Sequence, residues 1–122
     1  PDYLDPKLNC HSKLHEVQAL IQAIEAGADE ALMLDVNGFV STCNATNFFI
    51  VKDGEVWTST GAYCMNGITR QKVIEICAKN KIPCHQKNFK FYTSSYLVIF
   101  SYTDNENSWV HNYSKLMFTL QV

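Results

Sequence analysis

Glycine is scarce in this chain, and none of its five glycines falls in a GxGxxG or Walker arrangement. The phosphate-cradling loops of dinucleotide- and nucleotide-binding domains are therefore excluded. The five cysteines (Cys10, Cys43, Cys64, Cys77 and Cys84) form no CxxC pair. That removes the zinc-ribbon and thioredoxin spacings, and the odd count points to a reduced, cytoplasmic chain. Apolar runs are short, as in "YLVIF" at residues 96–100, so no segment is expected to cross a membrane. The N-terminus lacks the charged, then apolar, then small pattern of a signal peptide. With a formal charge of −2 and interspersed acids and bases, there is no polybasic strip to attract nucleic acid and no acidic tail. His11 and His15 stand four apart beside Cys10, but no HExxH or paired CxxC accompanies them. Capping or solvent-facing histidines are the plainer reading, and no metal site is expected.

What the chain does have is an apolar share of 47% over 122 residues, enough for one domain with a single core. Ser12 is a plausible N-cap for a helix in which Leu14, Val17, Leu20, Ile21 and Ile24 recur at helical spacing as far as Gly27. "EALMLDV" reads as a buried strand, Asn37-Gly38 as a two-residue hairpin turn and "FVSTC" as the returning strand. A second hairpin, "NFFIVKDGEVWTS", turns at Asp53-Gly54. A loop through Gly61 and Asn66-Gly67 leads into a second helix whose Val73, Ile74 and Cys77 face a core, and "IPCHQKNF" resumes as a strand. This order predicts an α+β, mixed α/β fold, with a hairpin-built sheet and two helices packed on it.

From residue 91 the composition changes. Residues 91–122 are rich in aromatics and hydroxyls, contain no glycine or proline, and carry only Asp104, Glu106 and Lys115 as charges. "SSYLVIFSY" is a β-prone run that aggregates when left exposed, so an edge strand or a partner surface is expected there.

The stretch "NGITRQKVIEICAKN" at residues 66–80 carries the first hint of chemistry. A helix start offers backbone N–H groups without intrahelical partners and the positive end of the helix dipole, a combination suited to a phosphate dianion. Gly67, Ile68 and Thr69 meet that need, although Asn-Gly before a helix also reads simply as a turn and a cap.

Order and spacing add the support that this stretch lacks alone. "GADEALMLDVNGFVSTCNATNFFIVKDGEVWTST" followed by "NGITRQKVIEICAKNKIP" resembles the class IV aminotransferases, the fold-type IV pyridoxal-phosphate enzymes. Their relatives include branched-chain and D-amino-acid aminotransferases and aminodeoxychorismate lyase. The resemblance runs from residue 5 to about residue 90. It implies part of the C-terminal, cofactor-binding domain of such an enzyme, pyridoxal 5'-phosphate as cofactor, and amino-group transfer between an amino acid and a 2-oxo acid. It places phosphate contacts at Ile68 and Thr69, beside Gly67, and a small-residue turn near the cofactor at Asn44. Arg70 is expected to support the loop rather than touch substrate.

The same resemblance exposes departures. Without gaps, the position of the Schiff-base lysine falls on Asn9, which cannot form that bond; Lys7 and Lys13 flank it. One helical turn rises about 5.4 Å, so Lys13 is the favoured candidate and Lys7 the second. The family glutamate at the pyridine nitrogen falls on Thr42, whose hydroxyl can hydrogen-bond that nitrogen but cannot hold it protonated as a carboxylate does. The preceding small domain and the completing end of the sheet are not in these residues. The expectation is residues 1–90 as a partial cofactor domain, with residues 91–122 as a divergent tail, as from alternative splicing, and a chain without full activity. The alternative is a non-catalytic binding or dimerisation module; a third reading is a homodimer through the exposed aromatic tail, since half a cofactor domain leaves apolar faces and sheet edges uncovered.

Overall fold

A computed structural model describes residue 7, residues 13–90 and, as backbone, residues 118–121. The first helix, α1, runs Leu14–Glu25 and packs on β1 (Ala31–Leu34), which pairs antiparallel with β2 (Val40–Cys43). β3 (Phe49–Lys52) and β4 (Glu55–Thr58) form the second hairpin; α2 (Ile68–Lys79) and β5 (Cys84–Gln86) follow, and β6 is Phe118–Gln121. Among the described residues there are, instead of one sheet, two of three strands each, in the orders β2-β1-β6 and β3-β4-β5. Each sheet is mixed, because β1 pairs parallel with β6 and β4 parallel with β5. The β4–β5 pairing is made possible by α2, since parallel neighbours need a crossover connection.

Strand alternation explains the layers. Leu32, Val40, Phe48 and Ile50 form one cluster with Phe89. The opposite face of β1, Ala31 and Met33, packs on Ala19 and Ala23 of α1. The opposite face of the other sheet, Phe49 and Val56, packs on Val73 and Cys77 of α2. The order is thus helix, sheet, central core, sheet, helix, with successive residues of a strand sent to different layers. A backbone bond from Val40 N–H to Phe89 O, 2.9 Å, links the two sheets at the core's edge. Phe48 and Phe49 are fully buried, each contributing about 1.5–3 kcal/mol by the area it removes from water.

Three local expectations are corrected. The residue in the N-cap position of α1 is Lys13, with no side-chain cap, and Ser12 lies outside the described residues. The apolar stripe of α1 does not face the core: Leu14 is 65% exposed and Ile24 62%, Val17 and Ile21 are also exposed, and the buried positions are Ala19 and Ala23. Alanines let the helix approach the sheet closely, and periodicity alone does not say which stripe is covered. The first hairpin has a three-residue connection, because Asp35 N–H donates to Phe39 O at 2.8 Å and Gly38 takes a φ of 79°, the geometry of a turn closed by a left-handed glycine.

Other expectations match the structure. Asp53-Gly54 is a two-residue turn, with Lys52 opposite Glu55 and φ values of 52° and 77°, the type I′ requirement. Gly27, φ 73°, ends α1, where Ala28 N–H donates to Ala23 O and Gly27 N–H to Ile24 O, a Schellman closure. In α2, Val73 and Cys77 are buried. "SSYLVIFSY" lies outside the described residues; the strand observed in the 91–122 segment is β6, beside β1.

Candidate functional site

A cavity of about 140 Å³ opens between the start of α1, the β1–β2 hairpin, the turn at residues 43–47 and the loop entering α2. Its lining includes Lys13, Glu16, Asp35, Thr42, Asn44 and Gly67. Strand geometry puts the middle of this set together: Thr42 lies opposite Met33 in the β1–β2 ladder, Met33 packs on α1, and Asp35 directly follows β1, past the register shift between Met33 and Leu34.

Each predicted residue has a definite place. Lys13 stands at the α1 start, half exposed, with Nζ 3.6 Å from Glu16 Oε2; His15 Nε2 lies 4.0 Å from the other Glu16 oxygen. Lys7 is an exposed turn residue and does not line the cavity. Asn9 lies outside the described residues. Thr42 Oγ1 donates to Thr46 O at 2.9 Å, which leaves its lone pairs for a further donor. Asn44 is buried, and its Oδ1 accepts Ala31 N–H at 2.7 Å. Its amide thus secures the turn to β1, and its contribution to the cavity is shape.

Gly67 occupies the N-cap position of α2 with extended dihedrals and no side-chain cap. A Cβ there would come within 3.1 Å of Asn47 Oδ1, so the close approach of loop and turn favours glycine. Gly67 borders the cavity, whereas Ile68, 81% exposed, and Thr69 are not among its lining residues.

Arg70 explains how that start is held. Its guanidinium is 4% exposed, donates from Nη1 to Asn66 Oδ1 at 2.9 Å and from Nη2 to Ser59 O and Gln86 Oε1, both at 2.8 Å. All three acceptors are neutral, and they come from the loop and from β5, so Arg70 supports the loop as expected from the sequence. Nε is buried without a partner.

A half-buried carboxyl and a buried thiol lie beside the cavity. Thr46 Oγ1 donates to Glu30 Oε2 at 2.8 Å, and burial pushes the Glu30 carboxyl above its ordinary range despite that bond. Burial, with the Glu30 charge nearby, also pushes the Cys43 thiol up, which keeps it protonated and unreactive.

The sequence profile of the amino-transferase class IV family matches residues 2–93. The chain belongs to the class IV aminotransferase family. Among its class IV relatives, the branched-chain-amino-acid aminotransferase-like protein 2 of Arabidopsis thaliana is 38% identical over 97 residues, 77% of this chain and 17% of the relative. The branched-chain amino acid aminotransferase of Escherichia coli superposes with a TM-score of 0.69 at 26% identity, over 74% of this chain and 30% of that one. An aminotransferase from Brucella abortus bound to PLP superposes at 0.62 with 32% identity, over 65% of this chain and 29% of that one. The chain thus spans less than a third of the length of these class IV proteins, and its mixed α/β layers are those of the family's fold.

Sequence reasoning missed Asp35 and Glu16 as cavity residues and took His15 for a capping or solvent-facing residue rather than a metal ligand. Glu16 and His15 carry no local signal. Asp35 does: an aspartate two residues before Asn37-Gly38 is an Asx-turn residue, and its Oδ1 accepts the Asn37 and Phe39 N–H groups at 2.8 and 2.9 Å.

Proposed function

We propose that this chain is part of the cofactor domain of a pyridoxal-phosphate aminotransferase acting on an amino acid and a 2-oxo acid, and that the cavity beside Lys13 and Gly67 is the cofactor's seat. The observation that carries the reading is the convergence of Lys13, Thr42, Asn44 and Gly67, distant in sequence, on one cavity.

The donor chemistry fits the group. For a phosphate there is the uncapped start of α2, where the N–H groups of Ile68 and Thr69 and the helix dipole meet negative charge. For a heteroaromatic ring there are the Thr42 hydroxyl and the closely approached backbone at Asn44 and Gly67. For an aldehyde there is the Lys13 amine. The bound cofactor supplies an electron sink for negative charge developing at the substrate α-carbon. The protein's part is to orient and to manage protons. Glu16 lies 3.6 Å from the Lys13 ammonium, and that amine acts as a nucleophile or base only after giving up its proton. Lys7 is the second candidate amine, from its turn beyond the cavity.

In the same reading, residues 1–90 form the partial cofactor domain and residues 91–122 the divergent, alternatively spliced tail. The chain is cytoplasmic, consistent with four free cysteines among the described residues, and lacks full activity without the remaining domain. A second reading has its own support: the uncovered α1 stripe of Leu14, Val17, Ile21 and Ile24 suits a non-catalytic binding or dimerisation module, including a homodimer.

Equilibrium dialysis with pyridoxal phosphate, followed by borohydride capture and peptide mass analysis, tests the first reading. Cofactor mass on Lys13, lost in Lys13→Ala and kept in Lys7→Ala, is the expected result. Absence of saturable binding overturns the cofactor reading, and capture at Lys7 alone overturns the lysine assignment.

A further inference from the structure

The turn at residues 43–47 walls the cavity from one side, and a group that holds it lies outside. Glu30, half-buried just before β1, is not among the lining residues. Its Oε2 accepts Thr46 Oγ1–H at 2.8 Å, and its carboxyl also accepts the Ala45 N–H. Thr46 in turn presents its backbone oxygen to Thr42 Oγ1 at 2.9 Å and to Cys43 N–H at 3.0 Å. A hydroxyl has one hydrogen, so the contact with Thr46 fixes where that of Thr42 points and leaves its lone pairs for a further donor. Ala45, Thr46 and Thr42 all line the cavity. A relay therefore runs from an outlying carboxyl, through one backbone carbonyl, to a hydroxyl in the wall.

We propose that Glu30 is a positioning residue of this cavity: its ionised carboxylate tethers Ala45 and Thr46, Thr46 O orients the Thr42 hydroxyl, and ligand affinity at this wall follows the charge on Glu30. This rests on the reading of the cavity as the seat of pyridoxal phosphate. An ionised carboxylate only accepts, and it has room for both donors. Bonds to it are charge-assisted, about twice as strong as neutral ones, so protonation slackens both tethers at once. The base of the turn is held independently, because Asn44 N–H donates to Ala31 O at 3.1 Å and Ala31 N–H to Asn44 Oδ1 at 2.7 Å. Two titratable groups interact with Glu30 among the described residues, Asp29 beside it and the Cys43 thiol on β2. Burial, with the Asp29 charge, pushes the Glu30 carboxyl above its ordinary value of 4.5 against the pull of its two hydrogen bonds. The Cys43 thiol is itself pushed up by burial and stays neutral while Glu30 titrates.

The test uses the full chain and its Glu30→Gln variant, which keeps an acceptor without the charge. Amide NMR of the free protein, from the ordinary carboxyl value of 4.5 upward to neutral pH, is expected to show Ala45 and Thr46 titrating together in the wild type and silent in Glu30→Gln. Pyridoxal phosphate is then titrated into both proteins at each pH, and the ratio of the two affinities cancels the ligand's own ionisation. The ratio is expected to be near unity at the acid end. Above the midpoint of the amide titration it should favour the wild type by about three- to thirtyfold, the range for a residue that acts through another. A ratio constant across pH makes Glu30 merely structural and overturns the proposal, leaving the seat itself standing. Silent Ala45 and Thr46 amides in the wild type also overturn it, because the carboxyl then exerts no hold on the turn. No binding of pyridoxal phosphate by the wild type at any pH removes the seat, and the proposal with it.

Discussion

Arg70 Nη2 donates to the backbone oxygen of Ser59 at 2.8 Å, tying the first turn of α2 to the end of β4 from inside the protein. Gly61 lies against the same group, where a Cβ would stand 3.5 Å from Nη2. Truncating Arg70 leaves Ser59 O, Asn66 and Gln86 without their donor. Hydrogen bonds to charged groups are worth about 1.5–3 kcal/mol each, and a stranded buried acceptor costs a similar amount. Arg70→Ala is therefore expected to destabilise the fold by about 3 kcal/mol or more in urea unfolding. Arg70→Lys is expected to recover only part of that, because one ammonium cannot span three acceptors placed for a planar fork.

Asn44 is the corresponding anchor on the other side of the cavity. Asn44→Ala leaves the buried Ala31 N–H without its acceptor, at an expected cost of about 1–3 kcal/mol. Amide exchange reads it directly: protection at Ala31 should fall, with protection in β3 and β4 unchanged.

The inverted face of α1 makes an opposite pair of predictions. Ile21→Lys, at an exposed position, is expected to shift stability by no more than about 0.5 kcal/mol. Ala23→Leu, at a fully buried position, is expected to cost about 1–3 kcal/mol by overpacking against β1. Light scattering of the Ile21→Lys variant also reads the dimerisation alternative, because a homodimer built on this stripe should dissociate.

Glu30 gives the pH dependence. Burial raises its folded carboxyl above the ordinary value of 4.5, so the folded state holds the proton more firmly than the unfolded chain does. Its contribution to stability is therefore fully present below about that ordinary value and is lost as pH rises through the folded one. Glu30→Gln keeps an acceptor for Thr46 and removes the titration. Thermal unfolding followed upward from an acidic pH should show a decline in the wild type that is smaller in the variant; parallel curves would count against Glu30 as its source.

Much of this was legible in the sequence, for identifiable reasons. The Asp53-Gly54 hairpin announces itself because two consecutive positive φ values admit few residues, and Gly27 ends α1 on the same principle. Val73 and Cys77 were readable because α2 covers its sheet with the stripe that periodicity marks. The α1 face was misread because the contact is made by Ala19 and Ala23, small residues that hardly register beside Leu14 and Ile24. The division into two sheets was not readable, since alternation reports faces and not strand partners. At the cavity, Gly67 was found from the helix start it precedes and Thr42 through the family pattern. Asp35 was taken for a strand residue, although an aspartate two residues before Asn37-Gly38 is the local mark of the turn it shapes.

The central claim is that the start of α2 and the β1–β2 hairpin together seat pyridoxal phosphate. Amide NMR during a pyridoxal-phosphate titration tests it most directly. The expected result is saturable shifts concentrated at Gly67, Ile68, Thr69 and Thr42, with the β3–β4 turn at Asp53 and Gly54 silent. Shifts confined to exposed lysines elsewhere, or none at all, would contradict it.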